Sequence, residues 1–251
     1  MCLDIDCTKG DNMEQYALTA EKVCRAYGAN KVLDDFSLSL EKGEFAAIMG
    51  PSGIGKSTFL HIASGLVAAD SGKVIVGGKD IVAMKDAEAA VFRRRHIGIV
   101  FQQFNLLPNK TVRENILYPL NLDGRKPAPE QMREIVETLA IDRILDKKPD
   151  FISGGEQQRA AIARALMIGA ELILADEPTG NLDLKSSRDT CRMLKEIGQK
   201  RKAAILMVTH DPVVAANAGK VHFLRDGKIV SSFETKGDPA LVSKLYLEAY
   251  K

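Results

Sequence analysis

The stretch GPSGIGKST, Gly50 to Thr58, constrains the fold more than any other part of the chain. It puts Gly50, Gly55, Lys56 and Ser57 on the fixed positions of G-x-x-x-x-G-K-[ST]. The preceding run EFAAIMG reads as a buried strand, and the following run TFLHIASGL reads as the first turns of a helix. In that strand–loop–helix context the glycines let the backbone bend so that successive N–H groups converge on a phosphate, and the helix adds its positive N-terminal end. The expected phosphate cradle is Gly50, Pro51, Ser52, Gly53, Ile54, Gly55, Lys56, Ser57 and Thr58. Lys56 would reach the β- and γ-phosphates, and the Ser57 hydroxyl would bind Mg²⁺. An ordinary glycine-rich turn does not require every fixed position to match. Alone, the loop says only purine nucleotide triphosphatase or kinase.

Composition narrows the classes of partner. With 251 residues, 45% of them hydrophobic and 27% charged, the chain is long enough for one large α/β domain or a domain with a smaller lobe. A formal net charge of +2 gives no electrostatic case for nucleic acid. There is no Trp and only 6% aromatic residues, so a base-stacking platform is not expected. Cys2, Cys7, Cys24 and Cys191 show no C-x-x-C spacing, which argues for free thiols in a reducing cytosol rather than for metal ligation. The longest apolar run, AAIARALMIGAELILA, is interrupted by Arg164 and Glu171, and the N-terminus has no signal-peptide pattern. The expectation is a soluble, cytoplasmic protein that reaches a membrane only through a partner.

Along the chain, residues 1–15 are polar and unpatterned and read as a tail. YALTAEKVCRAY reads as a strand, and VLDDFSLSLEKGEFAAIMG as two more, forming a hairpin around Glu41–Glu44. SGKVIVGGKDI reads as a hairpin turning at Gly77–Gly78. DAEAAVFRRR reads as a helix whose closing arginines suit a helix C-terminus better than a phosphate patch, and HIGIVFQ as a buried strand. From Phe104 to about Ala165 the pattern becomes helical, in NLLPNKTVRENI and PEQMREIVETLA, with loops expected at Pro108, Pro119, Pro127 and Pro149. ELILADEP and AAILMVTHD read as parallel core strands, HFLRDGKIV as a hairpin, and PALVSKLYLEAY, within 237–251, as an amphipathic helix.

Two further stretches carry chemistry. ELILADEP ends an apolar strand in Asp176–Glu177. A carboxylate at the end of a core strand beside a phosphate loop can hold Mg²⁺, and Glu177 is placed to polarise a water for attack on the γ-phosphate. ISGGEQQRAAIARAL opens a strong helix-forming run with Ser153, Gly154 and Gly155, a second candidate anion site at a helix N-terminus. A capped helix start accounts for Ser153 but not for the two glycines together with Glu156 and Gln157. Two chains placed head to tail, each lending this turn to the other's phosphate loop, would explain why one chain carries both.

With these residues in view, the chain resembles the ATP-binding-cassette (ABC) ATPases, the nucleotide-binding subunits of ABC transporters, from about Tyr16 to Val230. ISGGEQQR resembles their signature motif, with Ile152 where Leu is usual. Gln102 in VFQQFNLLP matches the Q-loop glutamine, which touches Mg²⁺ and lies against the membrane partner. Asn181, Leu182 and Asp183 match the D-loop at the dimer interface. His210 matches the switch histidine at the γ-phosphate, a role neutral imidazole suits at physiological pH. Tyr27 matches the aromatic residue that stacks on adenine. The resemblance implies an α/β fold with a P-loop core around a mostly parallel sheet, an antiparallel β subdomain near the N-terminus, and a helical subdomain at about 104–165 inside a domain of 16–236. It also implies Mg²⁺-ATP as cofactor, a head-to-tail dimer, and a separate transmembrane permease, with Glu177, His210 and Lys56 as catalytic residues.

FNLLPNKTVRENILYPL, RRRHIGIVFQ and ADEPTGNLD are similar to the macrolide-exporter and lipoprotein-release branch, which also holds cell-division and antimicrobial-peptide-resistance ATPases. Partners there resemble four-span permeases with a large extracytoplasmic domain. An importer ATPase or a non-transport ABC ATPase are the alternatives. The latter usually carries two cassettes or a coiled-coil insertion. ISGGEQQR argues against a P-loop kinase.

Overall fold

The computed structural model describes residues 15–251, so the expected tail, with Cys2 and Cys7, lies outside the described residues apart from Gln15. Strand β1 (Tyr16–Tyr27) pairs antiparallel with β2 (Asn30–Glu41) and with β4 (Ser71–Val76), which turns through Gly77–Gly78 into β5 (Lys79–Asp80). This sheet has the order β2-β1-β4-β5.

A second, six-stranded sheet contains β3 (Phe45–Met49), β6 (Ile97–Val100), β7 (Leu172–Asp176), β8 (Ala204–Thr209), β9 (Lys220–Arg225) and β10 (Lys228–Glu234), in the order β10-β9-β3-β8-β7-β6. All of its pairings are parallel except the β9–β10 hairpin, which turns at Asp226–Gly227. The parallel strands are apolar on both faces because both faces are covered. On β7, Leu172 and Leu174 pack with Leu33, Phe36 and Phe59, toward the antiparallel sheet and α1 (Lys56–Ala63). Ile173 and Ala175 face the other way, against Ile116 and Ile162 of α3 (Val112–Leu122) and α5 (Gly154–Met167). Each fully buried aliphatic or aromatic side chain contributes ~1.5–3 kcal/mol.

The remaining helices are α2 (Asp86–His96), α4 (Pro129–Leu139), α6 (Leu184–Arg201), the short α7 (Pro212–Ala215) and α8 (Pro239–Ala249). Helix α3 opens with a capping box, in which Thr111 Oγ1 accepts from the Glu114 N–H and Glu114 accepts from the Thr111 N–H. The arginines closing α2 are engaged locally. Arg93 donates to the Ser64 and Gly65 carbonyls at the end of α1, and Arg94, Arg95 and Arg125 all pair with the buried carboxylate of Asp123.

Three expectations need correction. β2 and β3 do not form a hairpin. The Glu41–Glu44 turn passes the chain from one sheet to the other, and β3 pairs in parallel with β8 and β9. Asn105–Lys110 is not helical, and α3 begins only after its Thr111 cap. Pro119 lies inside α3 rather than in a loop. It sits in the last turn, where a missing N–H removes a single helical bond.

Among the described residues, no helix is long and apolar enough to cross a membrane.

Candidate active site

The parallel strands β3, β7 and β8 finish at one edge of the sheet, with Met49 level with Thr209 and Asp176 level with Val208. The chain therefore delivers Gly50, Glu177 and His210 to the same edge, the usual place for ligands in open α/β sheets. Gly53 and Gly55 have φ of 79° and 114°, the left-handed region that favours glycine. A Cβ on Gly55 would lie 2.8 Å from the Val32 carbonyl oxygen, so the loop also needs glycine there for closeness to β2. A Cβ on Gly53 would meet nothing within 4 Å, which leaves that side of the loop open to a ligand.

The chemical groups at this edge bond to one another. Lys56, only 5% exposed, donates from Nζ to the carbonyls of Gly50 (2.7 Å) and Pro51 (2.9 Å). Burial pushes its ammonium pKa down, while the Glu177 and Asp176 carboxylates push it back up. Ser57 donates to Asp176 Oδ1 at 2.7 Å, so hydroxyl and carboxylate sit together as hard oxygen donors suited to Mg²⁺. Glu177 has φ of 43°, unusual for a residue with a side chain, and its N–H bonds to the Val208 carbonyl at 3.0 Å. His210 Nδ1 lies 2.9 Å from Glu177 Oε1.

Gln102 stands off this cluster. Its amide packs on Gly180, and its backbone carbonyl accepts from Asn181 Nδ2 at 2.8 Å. It makes no hydrogen bond to Ser57 or Asp176. Leu182 donates its N–H to the Thr179 carbonyl, and Asp183 caps α6 by accepting from the N–H groups of Lys185 and Ser186. Tyr27 is 48% exposed rather than core, with the Arg25 guanidinium 4.8 Å from its ring centroid.

The turn at Ser153 is a capping box. Ser153 donates from its N–H and its hydroxyl to Glu156 Oε2, at 2.7 and 2.8 Å, and accepts from the Glu156 N–H. Gln157 donates to the carbonyls of Pro149 and Ile152. Contrary to the expectation from sequence, a capped helix start thus accounts for Glu156 and Gln157 as well as Ser153. Gly155 also has a local reason, since a Cβ there would come within 3.1 Å of Ser186 Oγ. Gly154 has none: the nearest atoms to its Cβ would be 3.8 Å away.

Three residues near the site carry structural roles that motif reading does not reveal. Asn115, fully buried on the apolar face of α3, ties the loop after Gln102 through bonds to Leu107, Lys110 and Thr111. Arg164 on α5 donates to the carbonyls of Phe104 (2.8 Å) and Asn105, both of which have left-handed backbones. Burial lowers its pKa to about 10. Tyr250 reaches the root of the phosphate loop from α8. A polar residue inside an apolar stripe was the available signal for Asn115 and Arg164.

The family model described as ABC transporter matches residues 33–180, more than half of the chain. This chain belongs to the ABC transporter family. It is 42% identical to the bacitracin export ATP-binding protein BceA of Halalkalibacterium halodurans, over 88% of this chain and 89% of the relative. It is likewise 42% identical to the lipoprotein-releasing system ATP-binding protein LolD of Geobacter metallireducens, over 82% and 95%. The fold matches a solved dimer of the ATP-binding cassette MJ0796 in a post-hydrolysis state with ADP and Pi, at a TM-score of 0.78 and 35% identity, covering 87% of this chain and 99% of that one. The chain is thus an ABC ATPase of the branch that includes macrolide-export and lipoprotein-releasing ATP-binding proteins.

Proposed function

We propose that this ABC ATPase works as a head-to-tail dimer that closes on Mg²⁺-ATP, hydrolyses it, and drives a separate membrane permease of the four-span type. The observation that carries this reading is Gly154. It opens α5 with no packing demand of its own, at a helix N-terminus beside a serine, as a phosphate supplied by another copy would require. In this reading the loop amides from Gly53 to Thr58 and Lys56 hold the phosphates, and Lys56 exchanges the Gly50 and Pro51 carbonyls for phosphate oxygens. Ser57 and Asp176 would hold Mg²⁺, which would neutralise phosphate charge, and Gln102, which stands off them here, would join them by movement of its loop. Glu177 orients the attacking water, while His210, already against Glu177, holds the γ-phosphate. Tyr27 stacks on adenine. Asn181, Leu182 and Asp183 meet the second copy.

A groove of about 390 Å³ supports the permease contact. It runs between the β6 edge and the helical segment, lined by Leu66, Ile99, Phe101, Tyr118, Leu122 and Arg164. Two of its walls, Phe101 and Asn105, flank Gln102, so a partner seated there would sense movement of that loop. The chain would then lie on the inner face of the membrane through its permease.

The test is recovery of tagged Glu177→Gln protein from gently solubilised native membranes with Mg²⁺-ATP. Stoichiometric recovery of a four-span permease with a large extracytoplasmic domain supports the reading. A many-span importer subunit with a binding protein, or ribosomes, overturns it.

A further inference from the structure

The phosphate loop is held from below by the far end of the chain. Helix α8 docks through Val242, which is fully buried, and through a cluster of Phe223, Phe233, Tyr246 and Tyr250 rings. Its last turn is fixed by Arg225 Nη1 donating to the Ala249 carbonyl at 2.5 Å. This places the Tyr250 hydroxyl at the joint between β3 and the loop. The hydroxyl donates to the Leu224 carbonyl and lies 3.4 Å from the Met49 carbonyl. A Cβ on Gly50 would sit 2.9 Å from both the Tyr250 hydroxyl and the Leu224 oxygen. The first glycine of the motif is therefore needed for closeness to α8 and β9, apart from any ligand. The Gly50 carbonyl is in turn one of the two acceptors of Lys56 Nζ.

We propose that Tyr250 is a positioning residue for nucleotide binding. Its hydroxyl, anchored on the Leu224 carbonyl of β9, lies against the Met49–Gly50 junction and so sets the starting direction of the phosphate loop and the reach of Lys56. The proposal rests on the reading of Gly50–Thr58 as the phosphate cradle. Burial raises the Tyr250 pKa, so the phenol is a protonated donor at neutral pH. The ring supplies packing and the hydroxyl supplies loop position, and the two are separable by one atom.

The experiment is titration of ADP into the purified full chain, comparing wild type, Tyr250→Phe and a chain ending at Ala249, with melting temperatures of each. ADP reads the loop without hydrolysis or a second copy. Loss of the hydroxyl, which is bonded to Leu224 and lies against Met49 and Gly50, is expected to raise the ADP Kd about fivefold in Tyr250→Phe. The shortened chain is expected to lose at least as much. Leu247→Ala, on the exposed side of α8, should leave the Kd unchanged. An unaltered Kd in Tyr250→Phe overturns the proposal, whatever its melting temperature, and leaves the residue a packing element. If Tyr250→Phe does not fold, an unaltered Kd in the shortened chain likewise overturns the proposal. Failure of wild type to bind ADP instead sinks the reading of the loop itself.

Discussion

The phosphate-loop half of the site and the Ser153 turn are built on opposite principles. On the loop side the reactive groups hold one another: Lys56 on Gly50 and Pro51, Ser57 on Asp176, His210 on Glu177. The loop turns on two left-handed glycines, and Glu177 beside it has a left-handed backbone unusual for a residue with a side chain. The Ser153 turn has no such backbone. It is a helix start held by a capping box, in which the Ser153 N–H and hydroxyl and the Glu156 carboxylate and N–H bond to one another. On the proposed function, the first half exchanges internal bonds for ligand bonds. The second is rigid before it meets anything and offers a surface. A composite site made from one of each needs only one half to rearrange.

The sharpest test of this contrast is Glu177→Gln, which should lower turnover by ~10²–10⁴-fold while leaving ATP binding in place. Near-normal turnover would remove Glu177 from its role. Next in size is a pH effect that falls on the loop side first. His222, paired in register with Ile48, is 3% exposed, bonds to Ser232 through Nδ1 and has no partner at Nε2. Burial, with Lys220, lowers its pKa from 6.5 to about 4. Unfolding lets it take up a proton, so stability is full above pH ~6.5 and falls toward pH 4, by roughly 3 kcal/mol across that window. His222→Gln should flatten the loss in a series of denaturant melts.

The cap on the other half behaves in the opposite charge sense. Hydrogen bonds from the Ser153 N–H and hydroxyl hold the Glu156 carboxyl below its ordinary 4.5. Its contribution is present above that pH and is lost only as pH falls through the lowered value. Gly154→Ala should separate chemistry from folding. A helix start with room for a methyl should keep or gain stability, yet turnover should drop at least about tenfold as the donor surface is blocked. Unchanged turnover would leave Gly154 without a role. The smallest effect belongs to Glu156→Ala, which should cost about 1 kcal/mol in thermal or chemical melts by opening the cap.

Much of this was legible in the sequence because local pattern and global fold agree. GPSGIGKST, the runs ELILADEP and AAILMVTHD, and the turns at Gly77–Gly78 and Asp226–Gly227 each form the element their residues favour. The failures have physical causes. Glu41–Glu44 looks like a hairpin turn, but hairpin signals are local and cannot say which sheet the next strand joins. FAAIM is apolar on both faces, which belongs to a parallel core strand and was the clue against that hairpin. Pro119 reads as a loop residue because proline usually ends a helix, whereas a last-turn position tolerates it. Helix α6 went unread because its apolar stripe is thin, with Cys191, Leu194 and Ile197 buried among charged neighbours. Tyr250 lies 200 residues from Gly50, and no local pattern announces such a contact.

The central claim is that the site is completed by a second copy. It is tested most directly by light scattering on purified Glu177→Gln protein, with and without Mg²⁺-ATP. The account predicts a monomer that becomes a dimer when ATP is added, and a Glu177→Gln/Gly154→Ala protein that binds ATP but forms that dimer poorly. A Glu177→Gln protein that binds ATP and stays monomeric at high concentration would contradict it.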